Sequence, residues 1–145
     1  MKKLLNYLLI MLLISCNKAD VAYFDTDYKK VFDVASRSNR MVFLDFSTVW
    51  CGPCQYFEKR FQPDSALMNF LIETFFTCKI NAEHEFNKEI VSKYNISAYP
   101  TFIITDSNGD EISRIVGLKE KTPIEFIDLL KNIIEGKEQL ELLKK

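Results

Sequence analysis

Histidine and paired metal ligands are scarce in this chain of 145 residues. The sequence has one histidine, His84, and four cysteines, Cys16, Cys51, Cys54 and Cys78. A structural zinc site takes four ligands, usually from two closely spaced pairs. Only Cys51 and Cys54 form such a pair here. The sequence therefore predicts no metal site and no cofactor, and we interpret His84 as a solvated residue near the start of a helix.

An excess of charge of either sign is also lacking. The 19 basic and 20 acidic residues leave a formal net charge of -1. Nucleic-acid-binding domains usually present a basic patch or stripe, so nucleic acid is not an expected partner. Apolar residues make up 48% of the chain, which is typical of a globular protein rather than a disordered one. We expect one globular domain that functions as a monomer.

No apolar run is long enough to span a membrane comfortably as a helix. The longest run, residues 4–14, follows Lys2 and Lys3 at the N-terminus. A transmembrane helix needs about 20 apolar residues, so the shorter run predicts a signal peptide. An ordinary cleaved signal and an uncleaved short anchor are two readings of it.

A third reading rests on how this run ends. The residues Leu-Ile-Ser-Cys, 13–16, resemble a bacterial lipobox, in which the cysteine becomes the lipidated first residue of the mature protein. Two or more acyl chains give stable membrane anchoring. We therefore expect a lipoprotein-type signal peptide over residues 1–15, lipidation at Cys16, and a tether over residues 16–26.

The motif Trp-Cys-Gly-Pro-Cys, residues 50–54, is the most informative stretch of the chain. It follows an apolar run, residues 41–46, that predicts a buried strand, and the residues after it have helical spacing. A Cys-x-x-Cys pair at a strand-to-helix junction indicates redox chemistry. The N-terminus of a helix carries partial positive charge and free N–H groups. A thiolate placed there is stabilised, so its pKa falls and it attacks disulfides at neutral pH.

Hydrophobic periodicity predicts the other elements. Strands are predicted at residues 41–47, 75–81, 101–105 and 111–116, with a short edge strand at residues 21–24. Helices are predicted from Tyr28, from the cysteines, from Asp64 or Ser65, around residues 86–94, and from Pro123. Asn108-Gly109 predicts a type I′ hairpin turn, with positive φ at both residues. Gly136 predicts the end of the last helix, which leaves a charged tail over residues 137–145, with partial helical structure as an alternative.

The motif at residues 50–54 resembles the active site of thioredoxin, and the resemblance covers roughly residues 27–135. It implies an α/β thioredoxin fold, with a central mixed β-sheet flanked by helices on both faces, over residues 27–136. It also implies that Cys51 and Cys54 form a redox disulfide. The geometry of a helix start predicts that Cys51 points to solvent and that Cys54 packs beneath it.

Two charged residues match positions of thioredoxin. Asp45 lies in the predicted central strand, where a carboxylate is costly unless it is paired or neutral. The resemblance implies a proton-transfer role beside Cys54; an exposed strand face is the alternative. Lys79, on the next strand, matches the lysine that accompanies this aspartate in thioredoxin.

Tyr99-Pro100 precedes a predicted strand and matches the cis-proline of thioredoxin-like folds. The resemblance implies that the backbone beside Tyr99 pairs with an extended substrate segment. It assigns further substrate contacts to Trp50, Gly52, Pro53 and Gly117. A core position for Trp50 and a simple turn at Gly117 are the alternatives. Cys78 alternates with apolar residues and is predicted to be an inert core residue.

These features together imply a membrane-anchored thiol–disulfide oxidoreductase that reduces disulfides of exported proteins. It is expected in a bacterial cell envelope, on the periplasmic or outer face. Its partners would be exported proteins with disulfides and a transmembrane electron donor, because the compartment is oxidising. A disulfide oxidase or isomerase, a cytochrome c maturation reductase, and a non-enzymatic protein that binds a partner or a metal remain alternatives.

Overall fold

The computed structural model describes residues 26–143, which form four strands, five α-helices and one 3-10 turn. In chain order these are α1 (Tyr28–Ser38), β1 (Val42–Ser47), α2 (Gly52–Arg60), α3 (Ser65–Thr74), β2 (Phe76–Asn81), the 3-10 turn (Glu85–Asn87), α4 (Lys88–Lys93), β3 (Thr101–Thr105), β4 (Glu111–Val116) and α5 (Pro123–Leu143). The signal peptide, Cys16 and the predicted strand at residues 21–24 lie outside the described residues. Within residues 26–143, no helix combines the length and the apolar character needed to span a membrane.

The strands form one mixed sheet in the order β2-β1-β3-β4. β1 runs parallel to β2 and antiparallel to β3, and β3 pairs antiparallel with β4. All six residues of β1 are buried, as expected for a strand covered on both faces. This is the thioredoxin fold, and the predicted fold class is confirmed.

Two hydrophobic clusters cover the two faces of the sheet. One packs α1 and α4 against Val42, Leu44 and Phe46 of β1. The other packs α2, α3 and α5 against Phe43 on the opposite face. Alternate residues of a strand point to opposite faces, so Asp45, two residues after Phe43, lies on the α2 face.

Phenylalanine rings fix α2 to the sheet. The ring of Phe57 on α2 lies 4.9 Å from that of Phe102 on β3 and 5.5 Å from that of Phe126 on α5. Phe102 and Phe126 are themselves 5.2 Å apart, and all three side chains are fully buried. Aromatic rings contribute large apolar areas and favour offset or edge-to-face contacts at these distances. The cluster therefore anchors the helix that begins at the cysteines.

The last helix does not end at Gly136, so that prediction is wrong. α5 continues through Gly136 to Leu143, and the tail predicted from residue 137 is helical over most of its length. Gly136 is exposed, and an added Cβ would meet no atom within 4 Å. A glycine inside a helix costs only about 1 kcal/mol relative to alanine, which does not suffice to stop a helix anchored by Phe126 and Leu130.

The turn between β3 and β4 also differs from the prediction. Gly109 has φ +85°, but Asn108 does not have positive φ, so the turn is not type I′. The Asp106 carboxylate accepts the backbone N–H groups of Asn108 (2.8 Å) and Asp110 (3.0 Å). Aspartate side chains form such local turns with the backbone that follows them. This side chain therefore sets a longer connection than the Asn-Gly pair alone predicts.

Candidate active site

The two cysteines of the motif are joined at the start of α2. Their Sγ atoms form a disulfide of 2.07 Å, and their Cα atoms are 5.2 Å apart. Cys51 is the N-cap residue of the helix, and its Sγ accepts a 3.2 Å hydrogen bond from the backbone N–H of Cys54. Gly52 and Pro53 complete the first turn, where the fixed φ of proline suits the helix. The helix start thus presents the backbone N–H of Cys54 to the sulfur of Cys51.

Exposure does not distinguish the two cysteines in this oxidised form. Cys51 is 4% exposed and Cys54 is 3% exposed. The predicted contrast, with Cys51 toward solvent and Cys54 beneath it, is therefore not present in the disulfide, which draws both side chains together in one turn. What separates them is the N-cap position and its hydrogen bond, which belong to Cys51.

Asp45 is buried on the face of the sheet that α2 covers. Its residue is 2% exposed, so the alternative of an exposed strand face is wrong. Within the described residues, no hydrogen bond to its carboxyl group is present. Burial raises the pKa of Asp45 to about 7; the positive charge of Lys79 lowers it in part, and the negative charge of Glu58 adds to the rise. A buried carboxyl group therefore titrates near neutral pH on the α2 face of the sheet.

Lys79 is the neighbour of Asp45 across the parallel pair of β1 and β2. Its ammonium group, however, forms an ion pair with the Glu58 carboxylate of α2. Sequence reasoning missed Glu58. Its position four residues after Cys54 is the signal that would have found it, because residues i and i+4 share one face of a helix.

Trp50 lies on the surface beside the disulfide. It is 66% exposed, so the core alternative is wrong. Its indole Nε1–H donates a 2.7 Å hydrogen bond to Glu83 Oε1, and its ring meets that of Tyr99 edge to face at 5.9 Å. This contact brings the segment around Tyr99 next to the loop that carries Cys51.

The peptide bond between Tyr99 and Pro100 is cis, as predicted. The carbonyl oxygen of Pro100 accepts a 2.8 Å hydrogen bond from the backbone N–H of Gly117, which follows β4. Gly117 has φ +77°, a conformation that glycine adopts readily and that other residues rarely do. Gly117 is thus bound to the cis-proline segment and is more than a simple turn.

The remaining candidates from the sequence are Cys78 and His84. Cys78 is fully buried on β2 within the cluster that packs α1 and α4, and it belongs to no disulfide. His84 is exposed at the start of the 3-10 turn, where its Nδ1 accepts the backbone N–H of Phe86 at 3.4 Å. In the part of the chain that the structure describes, no group of three or more metal-ligating side chains comes together.

The chain is similar to known proteins over the region that contains this site. Residues 28–134 match the family model for the thioredoxin-like domain, which is more than half of the chain. This chain belongs to the thioredoxin-like domain family. It is a thioredoxin-like oxidoreductase whose active-site disulfide joins Cys51 and Cys54.

Relatives of this thioredoxin-like protein include thioredoxins. Thioredoxin-1 of Caenorhabditis elegans is 30% identical, and the match covers 72% of this chain and 84% of that protein. Thioredoxin of Mycoplasma genitalium is 35% identical over 66% of this chain and 84% of its own length. The solution structure of a Bacteroides thetaiotaomicron protein assigned as a disulphide-isomerase superimposes with a TM-score of 0.66 at 27% identity, and covers 79% of this chain and 93% of that one.

Proposed function

We propose that this protein is a membrane-anchored thiol–disulfide reductase that acts on disulfides of exported proteins. The observation that carries the proposal is the Cys51–Cys54 disulfide at the N-terminus of α2, on the face of the sheet that holds Asp45. This arrangement supports reversible exchange of two electrons between a dithiol in the protein and a disulfide in a substrate.

In the reductive half-cycle, the Cys51 thiolate attacks one sulfur of the substrate disulfide. A mixed disulfide forms, and the other substrate sulfur leaves as a thiolate that takes up a proton. Cys54 then loses its proton and attacks Cys51 Sγ, which forms the Cys51–Cys54 disulfide and releases the second substrate thiolate. This second thiolate also takes up a proton, so the substrate gains two electrons and two protons, and the protein returns to the oxidised form described above.

Asp45 is proposed to accept the proton of Cys54. A general base works best when its pKa lies near the operating pH, and burial raises the pKa of Asp45 to about 7. Cys54 is the first buried residue of α2, which covers the face of the sheet that holds Asp45. Lys79 supplies the positive charge near Asp45. In this proposal Asp45 accepts the proton of Cys54, and the positive charge of Lys79 stabilises the ionised form of Asp45.

Substrate is proposed to bind as an extended strand across the surface beside the disulfide. The backbone at Tyr99, before the cis peptide bond to Pro100, would pair with the substrate main chain, which is a form of strand addition. Trp50 is 66% exposed and held in place by Glu83 and Tyr99, so it offers a rigid apolar contact. Gly52, Pro53 and Gly117 are assigned to the rim of the same surface.

The location is proposed from the N-terminal sequence. Lipidation of Cys16 after removal of residues 1–15 would hold the domain at a membrane of the bacterial cell envelope. Exported proteins meet an oxidising compartment, so a reductase there needs a transmembrane electron donor that restores the dithiol. Disulfide-containing exported proteins are the proposed substrates.

Trapping the mixed disulfide tests the proposal. A Cys54→Ser variant retains the attacking Cys51 but lacks the thiol that resolves the intermediate, so disulfide-linked complexes with exported proteins should accumulate. Cys51→Ser, which keeps Cys54, and Cys78→Ser, which keeps the whole pair, are the matched controls and should trap none. Complexes that form equally in Cys51→Ser would contradict the assigned roles, and the absence of exported proteins among the trapped partners would contradict the proposed substrates.

A disulfide isomerase is the second candidate, favoured by the similarity to the Bacteroides thetaiotaomicron protein. A reductase and an isomerase differ in the fate of the mixed disulfide. A reductase resolves it with its own second cysteine, whereas isomerisation lets another substrate thiol do so. Insulin reduction compared with recovery of scrambled ribonuclease separates them, and Cys54→Ser should abolish the first activity and spare the second.

A further inference from the structure

Glu58 is a partly exposed residue of α2. It follows Cys54 by one helical turn, and its carboxylate pairs with the ammonium group of Lys79 on β2. We propose that Glu58 is a positioning residue of the redox centre: it holds the Lys79 ammonium group away from Asp45, and so keeps Asp45 available as a proton acceptor.

The strand register makes Lys79 the natural counter-ion of Asp45. The two residues are direct partners in the parallel pair of β1 and β2, and partners in a ladder point their side chains to the same face of the sheet. Among the described residues, however, Lys79 forms its ion pair with Glu58 and not with Asp45. Glu58 therefore competes with Asp45 for the ammonium group of Lys79.

The charges facing Asp45 come from two elements. β2 contributes Lys79 and α2 contributes Glu58, while β3 places the apolar Phe102 opposite Asp45 and the cysteines are joined in a neutral disulfide. Lys79 favours the ionised carboxylate, and Glu58 disfavours it both by its own charge and by its hold on Lys79. Removing Glu58 should therefore lower the pKa of Asp45 in two ways: it removes a negative charge, and it frees Lys79 to approach Asp45.

The Glu58–Lys79 pair is accessible to solvent, so either residue can be substituted without creating a cavity in the core. The two side chains are 38% and 32% exposed. They border an open groove of about 520 Å³ that is also lined by Thr48, Gln55 and Asn81. A change from Glu58 to the isosteric glutamine therefore removes charge at a partly hydrated site and leaves the packing of Asp45 intact.

The inference rests on the proposed function only in the role it gives to Asp45, and its test is a direct titration of that carboxyl group. Full-length oxidised protein in a mild detergent is labelled with ¹³C at aspartate carboxyl carbons, and the Asp45→Asn variant identifies the signal. In Glu58→Gln the midpoint for Asp45 should move to lower pH by about one unit, the size of shift that a nearby charge produces. Glu58→Asp, which keeps the charge, should restore a midpoint near that of the wild type.

The matched control is Glu111→Gln. Glu111 pairs with Arg114 on β4, and these side chains are 32% and 35% exposed, close to the exposure of the Glu58–Lys79 pair. This variant should leave the Asp45 midpoint unchanged. An Asp45 midpoint that stays or rises in Glu58→Gln would overturn the inference, and Glu58→Ala supplies the same removal of charge if the glutamine variant fails to fold.

A Lys79→Met background separates positioning from simple repulsion. Without Lys79, Glu58→Gln removes only the direct repulsion of Asp45, so the shift should be smaller than in the wild-type background. A shift of equal size in both backgrounds would show that Glu58 does not act through Lys79, and would overturn the inference. This titration does not measure turnover. Its result therefore still tests the position of Lys79 if activity assays show that Asp45 does not transfer the proton.

Discussion

The backbone N–H of Gly117 donates a 2.8 Å hydrogen bond to the carbonyl oxygen of Pro100. This bond ties the end of β4 to the cis-proline segment that precedes β3. Because Trp50 contacts Tyr99, the same segment lies beside the redox loop. The backbone conformation at Gly117 is therefore part of the geometry of the proposed binding surface.

Gly117→Ala and Gly136→Ala should change stability in opposite directions. An added Cβ meets no atom within 4 Å at either site, so backbone conformation decides the outcome. Gly117 has φ +77°, where alanine costs about 1–2 kcal/mol. Gly136 lies in a helix, where alanine gains about 1 kcal/mol. Urea unfolding of the oxidised protein measures both, and a stabilised Gly117→Ala variant would contradict the left-handed conformation.

Cys51 should be the more reactive thiol of the reduced pair. Its Sγ occupies the N-cap of α2 and accepts the N–H of Cys54, and a helix N-terminus stabilises a thiolate. The comparison uses Cys54→Ser, which leaves Cys51, and Cys51→Ser, which leaves Cys54. Alkylation by iodoacetamide at pH 7, followed by mass spectrometry of the modified peptides, should be faster for Cys51. Faster labelling of Cys54 would reverse the roles assigned to the two cysteines.

Membrane attachment should depend on Cys16. Lipidation of this residue is the proposed anchor, and the described domain contains no helix able to span a membrane. In fractionated cells, Cys16→Ser should move from the membrane to the soluble fraction and keep its insulin-reducing activity. Cys78→Ser, which removes a buried cysteine of the core, should stay on the membrane. Wild-type protein in the soluble fraction would contradict the anchor.

The parts of the site that sequence could predict depend on contacts nearby in the chain. Cys51 and Cys54 are three residues apart at a strand-to-helix junction, and Asp45 lies in an apolar run that indicated burial. The cis bond at Pro100 was predicted from the resemblance to thioredoxin. These features follow from the pattern of neighbouring residues or from the resemblance to a complete thioredoxin motif.

The parts that sequence missed depend on competition between signals. The Asn-Gly turn signal was overridden by the Asp106 side chain, which binds the backbone on both sides of Gly109. The stop signal at Gly136 did not end α5, which is anchored before that residue by the buried Phe126 and Leu130. The pairing of Glu58 with Lys79 joins residues 21 positions apart, and it exists only because α2 packs over the parallel pair of β1 and β2.

Asp45→Asn should stabilise the oxidised protein, and the gain should depend on pH. Burial raises the pKa of Asp45 from 3.8 to about 7, so between these values the folded protein holds a proton that the unfolded chain has lost. Wild-type stability therefore falls as pH rises through this window. A difference of about three units corresponds to at most about 4 kcal/mol. The asparagine side chain of the variant does not titrate, so its advantage should be small at pH 4 and largest at pH 8.

Urea unfolding at a series of pH values measures this advantage directly. The protein is kept oxidised, so that neither Cys51 nor Cys54 titrates. Asp128→Asn, which changes an exposed aspartate on α5, is the matched control and should retain the pH dependence of the wild type. If Asp45→Asn stabilised the protein equally at pH 4 and pH 8, the carboxyl group would not titrate in this window. Asp45 would then lack the affinity for protons near neutral pH that the proposed transfer from Cys54 requires.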